Sequence, residues 1–215
     1  MITVIDGLTG SGKTWFMTRL ALKKRKSGDD IYPNFALNFP KNNEGVMRWH
    51  ALSETYPIKN GVICIDEGQK LFDARTWETL PLGFMEKIAS HRHHHVDIIT
   101  TTQDFGHIDL RVRSNVHERY SCRSLFRFPQ DDRKKPLIQL IRITRKKRSF
   151  DDITGIKWDK GGTKFRLISL LFTKPLYDSY ADIDLARFIC QIKRDKGKWL
   201  IILQSRQLLN SKSLK

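Results

Sequence analysis

Apolar residues fall along this chain in short blocks, and their spacing predicts strands alternating with helices. Ile2–Asp6 opens with a β-prone run and reads as the first strand. Trp15 to Lys26 is rich in helix formers, so a helix is expected over about Lys13–Lys26. Ser27-Gly28-Asp29-Asp30 ends it: Gly28 suits the C-cap and the aspartates suit a turn. Ile31–Asn38 reads as a strand interrupted by Pro33, hence at a sheet edge. Lys41–Gly45 is a polar loop, and Val46–Leu52 predicts a short helix. Gly61 opens Val62-Ile63-Cys64-Ile65-Asp66-Glu67, a continuous apolar run like a parallel strand buried on both faces. Leu82–Ser90 predicts a helix, and Val96–Thr102 a further buried strand ending at Gln103. His117–Ser124 and Leu137–Thr144 alternate as strands do.

This order predicts an α/β fold up to about residue 124, a mostly parallel sheet flanked by helices. Further on, Asp131–Lys135 reads as a charged turn and Lys157–Lys164 as a Gly/Lys-rich loop. Phe165–Phe172 predicts a strand, Asp184–Lys193 a helix and Trp199–Leu203 a last strand before a polar tail. Residues 1–150 are thus expected to form the core, and 151–215 a β-rich C-terminal extension packed on it.

The junction between the first strand and helix carries the chemistry. Gly7-Leu8-Thr9-Gly10-Ser11-Gly12-Lys13-Thr14 fits the phosphate-binding P-loop at every fixed position. Glycines let backbone N–H groups turn inward around phosphates, and the helix N-terminus adds positive potential. Lys13 would reach the β- and γ-phosphates of ATP, and Thr14 would ligate Mg²⁺. Asp66 and Glu67 end the buried strand in the Walker B position, where Asp66 orients the metal and Glu67 polarises the attacking water. Gln103 ends the next buried strand, and ligands of open α/β sheets sit outside such ends. It is a candidate to contact the γ-phosphate or the water. His91-Arg92-His93-His94-His95 lacks the partners of a familiar tetrahedral metal set. Arg92, Arg111 and Arg113 are candidate fingers for transition-state charge, in cis or from a neighbouring subunit. Few other arginines stand near the P-loop in sequence.

Charge narrows the partners. Lys and Arg outnumber Asp and Glu by 39 to 23, and the net +16 implies a polyanion, either nucleic acid or an anionic lipid surface. Arg142, Arg145, Lys146, Lys147 and Arg148 form the densest cluster, with Lys157, Lys160 and Lys164 nearby; Arg111, Arg113 and Arg119 are the second choice. Backbone contacts from such a cluster bind DNA without sequence preference. The scattered Cys64, Cys122 and Cys190 argue against a disulfide framework and fit a reducing cytoplasm. With a strand beginning at Ile2, no secretory leader is expected, and no apolar run approaches the roughly 20 residues of a membrane span.

Together, Gly7–Thr14, Ile65-Asp66-Glu67-Gly68-Gln69, His91-Arg92-His93 with Asp97-Ile98-Ile99, and Thr102-Gln103 resemble the zonula occludens toxin family. That family includes the assembly ATPases of filamentous phages. Ile108-Asp109 with Arg111 and Arg113 matches too, and Tyr177-Asp178-Ser179-Tyr180 looks like a short segment closing that domain. The resemblance covers roughly residues 1 to 125. It implies an FtsK–HerA-like motor ATPase acting as a ring, hexamer-like, on viral DNA during packaging or export. It also implies a capsid or membrane protein partner, and the host cytoplasm or the inner membrane face as its place. Filamentous-phage members carry a transmembrane helix after this domain. None is seen here, which turns the expectation from anchored extrusion towards packaging. Two other readings stand beside the motor: a nucleotide-dependent scaffold or switch with little turnover, and a small P-loop kinase.

Overall fold

In the computed structural model, residues 1–37, 39, 44–73, 81–128, 138–151, 155–169, 188–195 and 198–205 are described. The first strand, β1 (Ile2–Asp6), is apolar and buried along its whole length. The chain then turns through the glycine loop into α1 (Lys13–Lys26). Four basic residues, Lys23 to Lys26, fill the last turn of α1 and complement its C-terminal dipole. A short strand, β2 (Ile31–Pro33), β3 (Gly61–Ile65), α2 (Leu82–Ser90), β4 (Val96–Thr102), α3 (Leu110–Ser114) and β5 (Glu118–Phe128) follow. Two long strands, β6 (Ile138–Asp151) and β7 (Gly155–Ser169), extend the fold.

The described strands β1–β7 form one sheet in the order β2-β3-β4-β1-β5-β6-β7. The first five in that order run parallel, and β5-β6-β7 run antiparallel. One face packs on α1: Trp15, Met17 and Ala21 meet Ile5, Cys64, Cys122, Ile141 and Ile168. The other face packs on α2 and α3, where Phe84, Ile88 and Val112 meet Val4, Ile63, Ile65 and Ile98. Phe72 and Phe84 stack within it, ring centroids 5.2 Å apart. Each such fully buried side chain contributes about 1.5–3 kcal/mol. The α/β reading, with helices on a mostly parallel sheet and a β-rich end, matches this architecture.

Several details differ from expectation. The edge strand stops at Pro33 rather than running to Asn38, because the Asn34 side chain turns to bind the backbone of Asp66. Val46–Leu52 is not a helix. Its backbone runs along β2, with Met47 N–H donating to Ile31 and Trp49 N–H to Pro33, and a 3-10 turn follows at Leu52–Thr55. The region 157–164 is not a loop but the middle of β7. A bulge opposite Thr144 to Lys146 accommodates Gly161, where an added Cβ would lie 2.7 Å from the Arg145 carbonyl oxygen. The helix expected over Asp184–Lys193 is replaced from Phe188 by a strand, β8 (Phe188–Asp195), paired antiparallel with β9 (Lys198–Ser205). Cross-strand pairing there overrides the local helix-forming composition. The charged turn Asp131–Lys135, the end of the strand expected to reach Phe172, and Tyr177–Tyr180 lie outside the described residues. The division expected after residue 150 falls at the end of β6, which is paired with β7 in one sheet.

Candidate nucleotide-binding site

Every element of the site sits at the C-terminal end of the parallel strands. Gly12 closes the loop in the left-handed region, φ 85°, and α1 begins at the next residue. Gly7 lies so close to β5 that an added Cβ would stand 2.3 Å from the Cys122 carbonyl oxygen. Lys13 crosses this loop, and its ammonium donates to the Leu8 carbonyl at 2.9 Å. Burial lowers the Lys13 pKa, while the charges of Asp66, Glu67 and Asp6 pull the other way. A lysine held among carboxylates in a half-dry site is poised for an anionic ligand.

Thr14, at the start of α1, donates its hydroxyl to the Asp66 carboxylate, 3.1 and 3.2 Å from its two oxygens. The strand end is braced from both sides. Asn34 Nδ2 donates to the Asp66 carbonyl at 3.1 Å, and Asp66 N–H donates to Asn34 Oδ1 at 2.8 Å. Thr101 of β4 donates to Asp66 Oδ1 at 2.5 Å and accepts the Glu67 N–H at 2.9 Å. Glu67 itself is left-handed, φ 54°, ψ 47°, a conformation that costs a non-glycine residue about 1–3 kcal/mol. Gly68 makes it possible by pressing on β4, where an added Cβ would lie 2.1 Å from Thr100 Oγ1. The half-exposed Glu67 carboxylate forms an ion pair with Lys70.

The residues fit a magnesium nucleotide. Ser11 Oγ is buried without a hydrogen-bond partner inside a loop of backbone donors. Thr14 and Asp66 present hard oxygen ligands side by side. They would hold Mg²⁺, which supplies charge neutralisation on the phosphates. Lys13 and the loop N–H groups would bind those phosphates. Glu67 is the carboxylate that would accept a proton from water.

Gln103 sits on the bend beyond β4 and lines an open cleft of about 680 Å³ with Gly7, Leu8, Thr9 and Ser11. The structure therefore brings Gln103 to the loop. The three candidate arginines do not line this cleft. Arg92 precedes β4, at the opposite edge of the sheet, against His117 Nε2. The seven residues of β4 separate it from the loop by about 20 Å, which rules out a finger in cis. Arg111 pairs with Asp109 at 3.1 Å, and Asp109 caps α3 by accepting the Arg111 N–H at 2.7 Å. Arg113 is half-buried on α3, its Nε buried without a hydrogen-bond partner. His91, eye-catching in sequence, is buried under the core; its Nδ1 lies 2.6 Å from the Ile88 carbonyl oxygen.

Two residues of the antiparallel strands reach the loop, contrary to the expected scarcity of arginines beside it. Arg127, near the end of β5, lies over Gly10, with Nη1 2.8 Å from where a Cβ would stand. Gln139 of β6 is wholly buried and donates to the Gly10 carbonyl at 2.5 Å and to Ser124 Oγ at 3.0 Å. Its signal was a lone amide inside the apolar run Ile138-Gln139-Leu140-Ile141. The basic cluster divides. Arg142, Lys146 and Lys160 line the cleft, whereas Arg145 pairs with Glu118 and Arg148 donates to the Val116 carbonyl.

Fold and loop together define a P-loop NTPase architecture. Residues 36–159 match the family described as Zonular occludens toxin (Zot), more than half of the chain. The chain belongs to that family. It is similar to the N-terminal domain of zonular occludens toxin from Neisseria meningitidis, at 20% identity over 84% of this chain and 98% of that one, TM-score 0.49. It is also similar to the genome packaging NTPase B204 from Sulfolobus turreted icosahedral virus 2, at 14% identity over 74% and 96%, TM-score 0.46. The flagellar accessory protein FlaH from Methanocaldococcus jannaschii aligns at 14% identity over 85% and 88%, TM-score 0.50, a likeness of fold alone. No curated protein sequence matches the chain. No helix among the described residues is long and apolar enough to cross a membrane.

Proposed function

We propose that this protein is an ATP-hydrolysing motor of phage morphogenesis, driving viral DNA packaging or export during virion assembly. The observation that carries the reading is Thr14 hydrogen-bonded to Asp66 across the end of a complete P-loop, with Glu67 next in the chain. That pairing joins a metal-binding hydroxyl to a strand-end carboxylate, and a nucleotide triphosphate is the ligand such a pair serves. Lys13, Thr14 and Asp66 bind Mg-ATP, Glu67 activates water, and Gln103 contacts the γ-phosphate or the water. Arg127 supplies positive charge in cis. Arg92, Arg111 or Arg113 acts across a subunit interface of a ring. Membership of the Zot family supports the phage setting.

The cationic strands β5–β7 bind DNA without sequence preference, and a capsid or membrane protein holds the motor in place. The protein works in the host cytoplasm or peripherally at the inner membrane. ATP hydrolysis measured with and without single- and double-stranded DNA tests this reading; hydrolysis absent under every condition overturns it. The Glu67–Lys70 ion pair favours a second reading, a nucleotide-dependent switch with little turnover. In that case Lys70→Ala raises hydrolysis, because it frees the carboxylate.

A further inference from the structure

Among the described residues no α-helix covers the outer face of β5, β6 and β7, although Phe105 packs on Arg119 and Trp158 at one end of it. Cross-strand partners share a face, so the register identifies its residues. Arg119, Lys146 and Lys160 form one row across the three strands, and Arg123, Arg142 and Phe165 form another. Beyond a bulge at Leu125, Phe126 pairs with Leu140 and Phe128 with Ile138 on the same face. The opposite face carries Cys122, Ile141 and Ile168 into the core against α1.

Two properties of this face stand out. Arg123, Arg142, Lys146 and Lys160 line the cleft beside the P-loop and make no ion pair among the described residues. Arg119, by contrast, is neutralised by Asp6 at 2.6 Å. Three phenyl rings on the face are open to solvent: Phe126 at 45%, Phe128 at 56% and Phe165 at 49%. Large apolar side chains are seldom grouped so openly on a basic surface without a partner.

We infer that this face is a docking surface for single-stranded nucleic acid, with phosphates along Arg123, Arg142, Lys146 and Lys160 and bases stacked on Phe126, Phe128 and Phe165. The inference rests on the DNA-handling part of the proposed function and specifies its substrate. Duplex DNA would satisfy the cations, but its bases are already stacked and leave the rings in water. A single strand satisfies both, as aromatic platforms within positive grooves do. An anionic bilayer would meet the rings. It would not reach Arg142 and Lys146, which are half-buried in the cleft.

The test is binding of a fluorescent thirty-base oligo-dT, a duplex of equal length, and vesicles carrying anionic phosphatidylserine, all without nucleotide. Phe126→Ala with Phe165→Ala should weaken the single strand about tenfold or more and leave the duplex within about twofold. Arg142→Gln with Lys146→Gln should weaken both and flatten the single-strand salt dependence by about 1.4 in log–log slope. Phe150→Ala, at the far end of β6, should change neither; thermal melting checks that each variant folds. Equal affinity of the phenylalanine variant and wild type for oligo-dT overturns the proposal. So does loss of vesicle binding alone, which would make the face a membrane contact, or a change of oligomeric state alone, which would make it a subunit contact. DNA-stimulated hydrolysis surviving any of these results leaves the motor standing while this surface fails.

Discussion

Gln139, on an antiparallel strand 129 residues further along the chain, hydrogen-bonds the carbonyl of Gly10 inside the P-loop at 2.5 Å. The bond pins the loop to β6 from outside the β1–α1 unit that defines it. Gln139→Leu leaves the half-buried Gly10 carbonyl without this partner, a cost of up to about 1–3 kcal/mol. Affinity for a fluorescent ATP analogue should therefore fall about tenfold, with the protein still folded. Unchanged affinity would show that the loop holds its shape unaided.

Lys13→Ala and Thr14→Ala should abolish productive Mg-ATP binding. Lys13 is the ammonium spanning the loop, and Thr14 is the hydroxyl joined to Asp66. Hydrolysis by purified Lys13→Ala protein at the wild-type rate would sink the site assignment.

Asp66 and Glu67 should separate by phenotype. Asp66→Ala should weaken Mg-ATP binding, since Asp66 holds Thr14 and Thr101 together. Glu67→Gln should bind ATP and hydrolyse it about 10²-fold more slowly, the scale of general-base losses. Turnover of Glu67→Gln at the wild-type rate would require another residue to activate water.

The arginines should sort by mixing. Arg127 lies over Gly10 of its own chain, so a blend of Arg127→Ala with Lys13→Ala protein should stay inactive. At least one of Arg92→Ala, Arg111→Ala and Arg113→Ala should regain activity in such a blend, each subunit supplying what the other lacks. Failure of all three, with oligomers verified by light scattering, would remove the trans finger.

Acid should destabilise the fold through the buried His91 and the half-buried His117. Burial lowers the pKa of His91, with the Ile88 bond and Asp97 opposing and the amino terminus and Arg92 assisting. Burial likewise lowers that of His117, helped by Arg92, His91, the amino terminus and Arg148. The unfolded chain then binds more protons than the folded one below an ordinary histidine pKa of about 6.5, so stability is lost as pH falls through it. The melting temperature should drop between pH 7.5 and 5.5. A flat profile over that window would contradict neutral rings at both positions.

What could be read from the sequence was local. The P-loop, the Asp66-Glu67 step and Gln103 follow strands whose apolar runs announce themselves, and each lies where its strand ends. β7 was hidden because Gly161 and Gly162 read as a turn, while the pairing that makes them strand comes from β6. Gln139 and Arg127 were hidden for the same reason: nothing near them in sequence reveals that β5 and β6 pass over the loop. The arginine candidates looked suitable by residue type, but Arg92 lies before the start of β4 rather than beyond its end, and the direction of one strand decides which end of the sheet it reaches.

Side chains of β6 alternate between two surfaces, and the consequence is mechanical. Gln139 and Ile141 bear on the P-loop, the latter 3.1 Å from where a Cβ on Gly12 would sit. Arg142, one residue on, faces the cleft. In the proposed motor, tension applied to the outer surface of this strand would need no relay of moving parts to be felt by the phosphate loop. The same few ångströms of backbone carry both, so β6 would act as a lever whose load arm and fulcrum are adjacent residues.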